Sequence, residues 1–175
     1  MATLSGLGVG ADAVTGQVTR FIVSQNIGIF TAFSLLADYY MYIILPLSLI
    51  FFYRKLGRRR VASLVLGLLL LYFLVPYLKV VYSQNRPCDG YLKAECPKDY
   101  SFPSGHTAVA FAFAFFSVGT AAFPFYYLSA FLIALSRIYL GVHVLNDIIG
   151  GVVAGIFSYY VSEKVVDSCL RYAGD

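Results

Sequence analysis

Charge is what this sequence has least of. Only 13% of its 175 residues are charged, whereas 59% are hydrophobic, and the mean hydropathy is +0.75. A soluble globular domain has about 25% charged and about 45–50% apolar residues. The composition therefore excludes an ordinary soluble domain and favours a membrane protein. The net charge is only +4 and no run suits nucleic-acid recognition, so we expect no nucleic-acid partner.

Cysteines and targeting signals are also scarce. Three cysteines are too few for a disulfide scaffold. No cleavable signal peptide is predicted, because the Gly-rich first residues lack a basic segment followed by an apolar one. The length predicts one domain, residues 1–175, rather than two.

Long apolar runs are what the sequence does have. Five of them predict spanning helices, because the hydrocarbon core of a bilayer takes about 20 apolar residues. Residues 11–26 carry Asp12 and Arg20 and predict a short helix in the membrane interface instead. The predicted fold class is therefore all-α, a polytopic transmembrane helix bundle with five spans and an N-terminal interfacial helix. The predicted spans are 33–53, 61–78, 107–123, 125–140 and 144–162.

The orientation of this bundle follows from one basic segment. Residues 54–60, "RKLGRRR", join the first two predicted spans and contain five basic residues. By the positive-inside rule this segment is cytoplasmic. Alternation then places residues 80–103 outside. On the fifth span, Gly151 and Gly155 form a G-x-x-x-G pattern that predicts close helix packing.

Seven polar residues near the span ends, six of them ionisable, fall together on the outer side of this map, apart from the cytoplasmic basic segment 54–60. Such residues are costly in a membrane and mark functional sites, although a cation near a helix end often only reaches to the headgroups. That simpler interpretation suits Lys79 alone, but not three cations, both histidines and a carboxylate together. The set, with one serine, is Lys79, Arg86, Ser104, His106, Arg137, His143 and Asp147.

Three cations with no comparable acidic cluster indicate a bound anion. Lys79 supplies a point charge, whereas Arg86 and Arg137 supply planar forks that suit phosphate oxygens. Ser104 and Gly105 precede an apolar helix, where free backbone N–H groups bind anions.

The two histidines then suggest the chemistry. His143 and Asp147 are four residues apart and are expected to share a helix face, so that the carboxylate leaves one ring nitrogen free as a nucleophile. His106, on another helix, is the second proton-transfer group. These roles describe phosphoryl transfer through a phosphohistidine. The two histidines and Asp147 also suit a metal, but three adjacent cations would repel it, so no metal is expected.

These residues match a known family. The chain resembles the type 2 phosphatidic acid phosphatase (PAP2) superfamily, which includes the vanadium haloperoxidases. Its three motifs occur in order between residues 79 and 147. They read "KVVYSQNRP" from Lys79, "PSGH" from Pro103 and "SRIYLGVHVLND" from Ser136.

The resemblance implies specific roles and a PAP2/haloperoxidase-like core. His143 would be the nucleophile, Asp147 its orienting partner, and His106 the acid and then the base. The phosphoryl oxygens would be held by Lys79, Arg86, Ser104, Gly105 and Arg137. The family needs no metal or other cofactor for phosphatase activity. Its membrane members usually have six spans, one more than predicted here.

The predicted function is an integral membrane lipid phosphatase with its site on the non-cytoplasmic side. Its expected partners are membrane lipids and a lipid phosphate or diphosphate, with a polyprenyl diphosphate favoured over phosphatidic acid or phosphatidylglycerophosphate. A haloperoxidase, whose known members are soluble, and a non-enzymatic transporter or structural subunit remain alternatives.

The outer loop carries two of the three cysteines. Cys88 and Cys96 are eight residues apart on the non-cytoplasmic side, so they predict a disulfide that restricts the loop around Arg86. Cys169 lies near the cytoplasmic end of the chain and is expected to be free.

Overall fold

The computed structural model describes residues 5–88 and 92–172, with side chains from residue 15 onward, so the side chain of Asp12 lies outside the described part. Over these residues all regular structure is helical, as predicted, and no strand occurs. The helices are α1 Ser5–Ser24, α2 Gly28–Tyr39, α3 Leu45–Tyr82, α4 Gly105–Ser117, α5 Phe123–Tyr139 and α6 Leu145–Tyr172, and a π-helix, Tyr40–Ile44, joins α2 to α3.

The basic segment 54–60 is not the irregular loop that the sequence predicts. It belongs to α3, which is interrupted at Gly57 (φ +79°, ψ 159°), a conformation that favours glycine. The first two predicted spans, 33–53 and 61–78, are thus parts of helical arms that meet at a kink. By length and hydropathy, two segments qualify for crossing a membrane in the described part, Gly28–Tyr82 and Leu145–Tyr172.

The other helix bounds differ from the predicted spans for local reasons. α4 has only 13 residues, because the chain turns after Ser117 and Gly119 adopts a positive φ of 75°. α6 continues to Tyr172 instead of ending near residue 162. Its extension is charged, and Arg59 pairs there with Glu163 and Asp167. α4 and α5 are apolar but shorter than a full span.

The N-terminal helix α1 packs against α5 and α6 and supports the start of α6. The hydroxyl of Thr19 accepts a hydrogen bond from the backbone N–H of Leu145, at 3.4 Å. Beyond α1, the backbone N–H of Ile27 donates to the hydroxyl of Tyr139, at 2.9 Å. The N-terminal segment is therefore anchored near the loop between α5 and α6.

α4 and α6 approach each other closely through glycines, as the G-x-x-x-G pattern predicts. A Cβ atom at Gly151 would lie 2.6 Å from the carbonyl oxygen of Ser104, and one at Gly155 would lie 3.1 Å from that of Ala108. This approach lets the N–H of Ser104 donate to the carbonyl oxygen of Asp147, at 3.0 Å. The contact joins two of the three sequence motifs.

We expect Gly151→Ala to lower the melting temperature of the purified protein in detergent. A methyl group at this position overlaps backbone atoms of α4, and overpacking typically costs about 1–3 kcal/mol. Gly28→Ala is the matched control, because no atom lies within 4 Å of a Cβ at Gly28. Equal melting temperatures for the two variants would contradict the close packing of α4 on α6.

The disulfide prediction is confirmed. Cys88 and Cys96 are bonded in the segment between α3 and α4, and Cys169 is free and exposed. The bridge closes two residues after Arg86, so it restricts the backbone that carries this guanidinium.

Candidate active site

His143 and Asp147 form a buried pair, but not by sharing a helix face. His143 precedes α6, whereas Asp147 lies in its first turn. The Oδ2 atom of Asp147 accepts from the backbone N–H of Val144 at 2.9 Å, as in one half of a capping box. The same oxygen lies 3.1 Å from Nδ1 of His143. The predicted contact between His143 and Asp147 is present, but the predicted reason, a shared helix face, is wrong. Capping of α6 brings the carboxylate to the ring instead.

The tautomer of His143 follows from these partners. Because Nδ1 donates to a carboxylate, Nε2 keeps its lone pair. Nε2 lies 3.2 Å from Nη1 of Arg86, and Nη1 also donates to the carbonyl oxygen of Val142 at 2.9 Å. Ser101 donates its hydroxyl to Oδ2 of Asp147 and steadies the carboxylate. The unprotonated nitrogen of His143 therefore accepts a hydrogen bond from a guanidinium.

Lys79 and Arg86 converge on one carboxylate that the sequence reasoning did not use. Asp99 accepts from Nζ of Lys79 at 2.9 Å and from Nη2 of Arg86 at 2.7 Å. Partial burial raises the pKa of Asp99, but the hydrogen bonds from both cations outweigh it and hold this pKa below its usual value. The sequence reasoning counted no acidic cluster comparable to the three cations, and the structure adds Asp99 as a counter-charge to two of them.

The second half of the site pairs Arg137 with His106 through another carboxylate. Oδ1 of Asp38 lies 2.6 Å from Nε2 of His106 and 3.1 Å from Nη1 of Arg137. Arg137 also donates from Nη2 to the carbonyl oxygen of Ser34, at 3.1 Å. Asp38 comes from α2, far in sequence from both partners, so only the tertiary packing of α2 on α5 brings it here.

The start of α4 lies between these two halves. Ser104 is its N-cap, and its hydroxyl accepts from the backbone N–H of Thr107 at 3.4 Å. Its own N–H is bonded to Asp147, so it is not free for an anion as the sequence predicts. Within the described residues the N–H groups of Gly105 and His106 have no hydrogen-bond partner. They are the free donors at this helix terminus.

The structure thus brings together all eight predicted site residues and adds three that the sequence reasoning missed. The added residues are Asp38, at the start of the first predicted span, and Asp99 and Ser101, in the segment before "PSGH". The spacing of Asp99 and Ser101 just before "PSGH" is a usable signal, whereas no sequence signal links Asp38 to α4. No group of three His, Cys, Asp or Glu side chains with metal-ligand geometry occurs in the described part.

Two apolar cavities flank the site on different sides of α3. One, of about 550 Å³, lies between α3 and α6 and is lined by Leu78, Phe102 and Asn146 among others. The other, of about 360 Å³, lies between α3 and α4 and reaches Tyr42 and Gly105. Both begin beside motif residues, so an apolar chain in either one starts next to the polar site.

Burial lowers the pKa of His143 to about 4, against the opposing effect of its hydrogen bond with Asp147. The ring is therefore neutral at pH 7. We expect the acid limb of a profile of kcat/KM against pH to have its midpoint near 4 rather than near the ordinary value of about 6.5. Below that pH, protonation of Nε2 removes the lone pair.

Initial rates of phosphate release, measured with the enzyme returned to neutral pH as a control for unfolding, test this expectation. A reversible acid limb centred near the ordinary histidine value would contradict it.

The chain matches a known family over most of its described length. The family model described as the PAP2 superfamily matches residues 60–169, which include all three motifs. The match covers more than half of the 175 residues, so the chain belongs to the PAP2 superfamily.

Individual relatives agree with this assignment. The undecaprenyl-diphosphatase of Sulfolobus acidocaldarius is 29% identical over 131 residues, which are 71% of this chain and 64% of that protein. The chain therefore spans less than two thirds of this curated relative. The crystal structure of Aquifex aeolicus LpxE is similar with a TM-score of 0.67 at 32% identity, covering 85% of this chain and 93% of that one.

A more distant structure supports the fold alone. A transmembrane PAP2 type phosphatidylglycerolphosphate phosphatase from Bacillus subtilis is similar with a TM-score of 0.70 at 22% identity, over 91% of this chain and 87% of that one. The family and these relatives define a membrane protein of the PAP2 class.

Proposed function

We propose that this chain is an integral membrane phosphatase that hydrolyses a lipid phosphate through a phosphohistidine at His143. One observation carries the proposal: the unprotonated Nε2 of a buried, neutral histidine lies 3.2 Å from the guanidinium of Arg86. A phosphoryl group bound to Arg86 is thereby held next to a nucleophile whose tautomer Asp147 sets.

In the proposed first step, Nε2 of His143 attacks phosphorus and the bond to the leaving oxygen breaks. His106 gives its proton to that oxygen. Lys79, Arg86 and Arg137, with the N–H groups of Gly105 and His106, stabilise the charge on the phosphoryl oxygens. Ser104 contributes by capping the helix that presents these N–H groups, not through its own N–H.

In the second step, His106 takes a proton from water, and the oxygen attacks the phosphohistidine. The bond between phosphorus and Nε2 breaks, which restores the neutral imidazole and releases inorganic phosphate. Three cations supply the charge stabilisation that a divalent metal supplies in other phosphatases, so we propose that the enzyme needs none.

The proposed membrane arrangement has five spans with the site on the non-cytoplasmic side. The kink at Gly57 supports a change of direction between two arms at the basic segment. α1 in the interface is consistent with its packing beside the loop that carries His143. Labelling of single cysteines introduced at residues 58 and 98, from each side of sealed vesicles, tests this orientation.

We propose a polyprenyl diphosphate as the substrate. The relative named undecaprenyl-diphosphatase supports this, as does the apolar lining of the cavities beside the site. Lys93 in the outer loop does not add support for a diphosphate, because its ammonium is engaged elsewhere. Its ammonium donates to the carbonyl oxygen of Gln25 and lies 3.5 Å from the centroid of the Tyr139 ring.

A glycerolipid phosphate is the second candidate. It is favoured by the presence of two separate apolar cavities, because a lipid with two acyl chains can place one in each. The same catalytic residues would serve both substrates, so the choice depends on the chains and on the leaving group.

Phosphate release from a panel of lipids tests both proposals. We expect turnover in the presence of a chelator, inhibition by vanadate, and a higher kcat/KM for a prenyl diphosphate than for phosphatidic acid in the same micelles. A higher kcat/KM for phosphatidic acid would contradict the proposed substrate but would leave the proposed phosphatase activity standing. No phosphate release from any lipid would favour a transporter or structural subunit, and halide oxidation with added vanadate would favour a haloperoxidase.

A further inference from the structure

The two histidines of this chain have different carboxylate partners on opposite ring nitrogens. His143 meets Asp147 through Nδ1, whereas His106 meets Asp38 through Nε2. The first pair is buried, with side chains 2% and 0% exposed, and the second is open, at 25% and 56%. Within the described residues, Nδ1 of His106 has no hydrogen-bond partner.

Asp38 lies outside all three motifs and outside the matched residues 60–169. Its Oδ1 atom is shared between His106 and Arg137, two groups that tend to carry positive charge when close to a phosphoryl group. A carboxylate between them offsets their repulsion. It also fixes the imidazole plane of His106, because the hydrogen bond of 2.6 Å is short.

We propose that Asp38 is a positioning residue for His106: it holds the ring by Nε2 and so presents Nδ1–H to the leaving oxygen. The inference rests on the phosphatase function proposed above. In the first step the proton moves from Nδ1 to the leaving oxygen as the bond to phosphorus breaks. The negative charge of Asp38 stabilises the doubly protonated ring that exists before this transfer.

A different role would leave a different signature. If Asp38 only occupied the anion site in the absence of substrate, its removal would lower KM and leave kcat unchanged. If it only positioned Arg137 for binding phosphate, its removal would slow all substrates to the same extent. A role through His106 predicts an effect that depends on the leaving group, because only a strongly basic leaving oxygen needs the proton.

The kinetic test compares two phosphate monoesters in the same micelles, a long-chain alkyl phosphate and 4-nitrophenyl phosphate. We expect Asp38→Asn to lower kcat/KM, which reports the first phosphoryl transfer, for the alkyl ester by about 10–100-fold, part of the 10²–10⁴ that a general acid contributes. For the nitrophenyl ester we expect less than about a threefold change in kcat/KM, because nitrophenolate leaves without a proton. Equal losses on both esters, or a lower KM with unchanged kcat, would overturn the proposal.

Asp167→Asn is the matched control. Asp167 is also a carboxylate that pairs with an arginine, Arg59, but it lies on the extension of α6 away from the motifs. This variant should change neither ester's kcat/KM, so an effect specific to Asp38→Asn is not a general consequence of losing a surface ion pair.

A second measurement does not depend on turnover. Because the chain has only two histidines, ¹⁵N-histidine labelling gives two resolvable rings. At a pH at which both are neutral, we expect His143 to keep its proton on Nδ1 and His106 to keep it on Nε2. Asp38→Ala should remove the preference of His106 alone.

The two measurements separate failure of this inference from failure of the proposed function. A proton of neutral His106 on Nδ1 in the unsubstituted protein would overturn the positioning role whether or not phosphate is released. No turnover of any phosphate ester, together with the expected tautomers, would instead refute the phosphatase while leaving the contact between Asp38 and His106 intact.

Discussion

Replacing His143 by alanine is expected to abolish turnover and to prevent any phosphoenzyme from forming. Nε2 of His143 is the atom that bonds to phosphorus in the proposed mechanism, and no neighbouring side chain in the described part provides a nitrogen in the same place. Loss of a nucleophile costs catalysis on the order of 10⁴-fold or more. Phosphate release and acid-labile incorporation of ³²P measure the two parts of this expectation.

Asp147→Asn is the comparison variant for that experiment. This variant keeps Nε2 and weakens only the group that sets the tautomer and orientation of the ring. Its turnover should therefore fall less than that of His143→Ala. The comparison is valid only if both variants have melting temperatures close to that of the unsubstituted protein. This must be measured because the pair is buried and Asp147 also caps α6. Substantial turnover by a folded His143→Ala variant would remove the nucleophile assignment.

Replacing His106 by alanine is expected to have the second-largest effect on turnover and to let the phosphoenzyme accumulate. Loss of a general acid and base costs about 10²–10⁴-fold in rate. A substrate with a weakly basic leaving group still transfers its phosphoryl group to His143, because that step needs no proton. Hydrolysis of the phosphohistidine then lacks its base, so the intermediate should accumulate.

Rapid quenching at high pH, where phosphohistidine persists, followed by detection of ³²P on the protein tests this accumulation. Asp167→Asn, on the extension of α6 away from the motifs, is a control that should show no accumulation. A His106→Ala variant that turns over the alkyl and nitrophenyl esters at undiminished rates would exclude His106 from the mechanism.

Much of the site could be predicted from the sequence because its residues are grouped in short segments. Arg86 follows Lys79 by seven positions, and Asp147 follows His143 by four. Neighbours along a chain remain neighbours in space whatever the fold, so the spacing of motif residues is enough to suggest their roles. The disulfide between Cys88 and Cys96 is of the same kind, since a separation of eight residues keeps the sulfur atoms within reach.

Helix ends and pairing rules were harder to predict from the same sequence. A separation of four residues suggests a shared helix face, yet α6 begins after His143, and capping by Asp147 makes the contact instead. Similarly, the basic segment 54–60 has the composition of a loop, but helix formation continues on both sides of Gly57. The residue at which a helix ends is decided by competition between capping, helix propagation and tertiary packing. Local composition does not show which of these prevails.

The sequence by itself determined that this protein is apolar and helical, that its motifs are those of the PAP2 superfamily, and which residues are the candidates for phosphoryl chemistry. Only the tertiary structure decided which carboxylates balance the cations. Asp38 reaches His106 across 68 sequence positions and Arg137 across 99, because α2 packs on α5 beside the start of α4. The physical reason is that the energy of an ion pair depends on the distance between its charges in space. A contact between helices that are distant in sequence produces no periodic pattern or fixed spacing by which the sequence would show it.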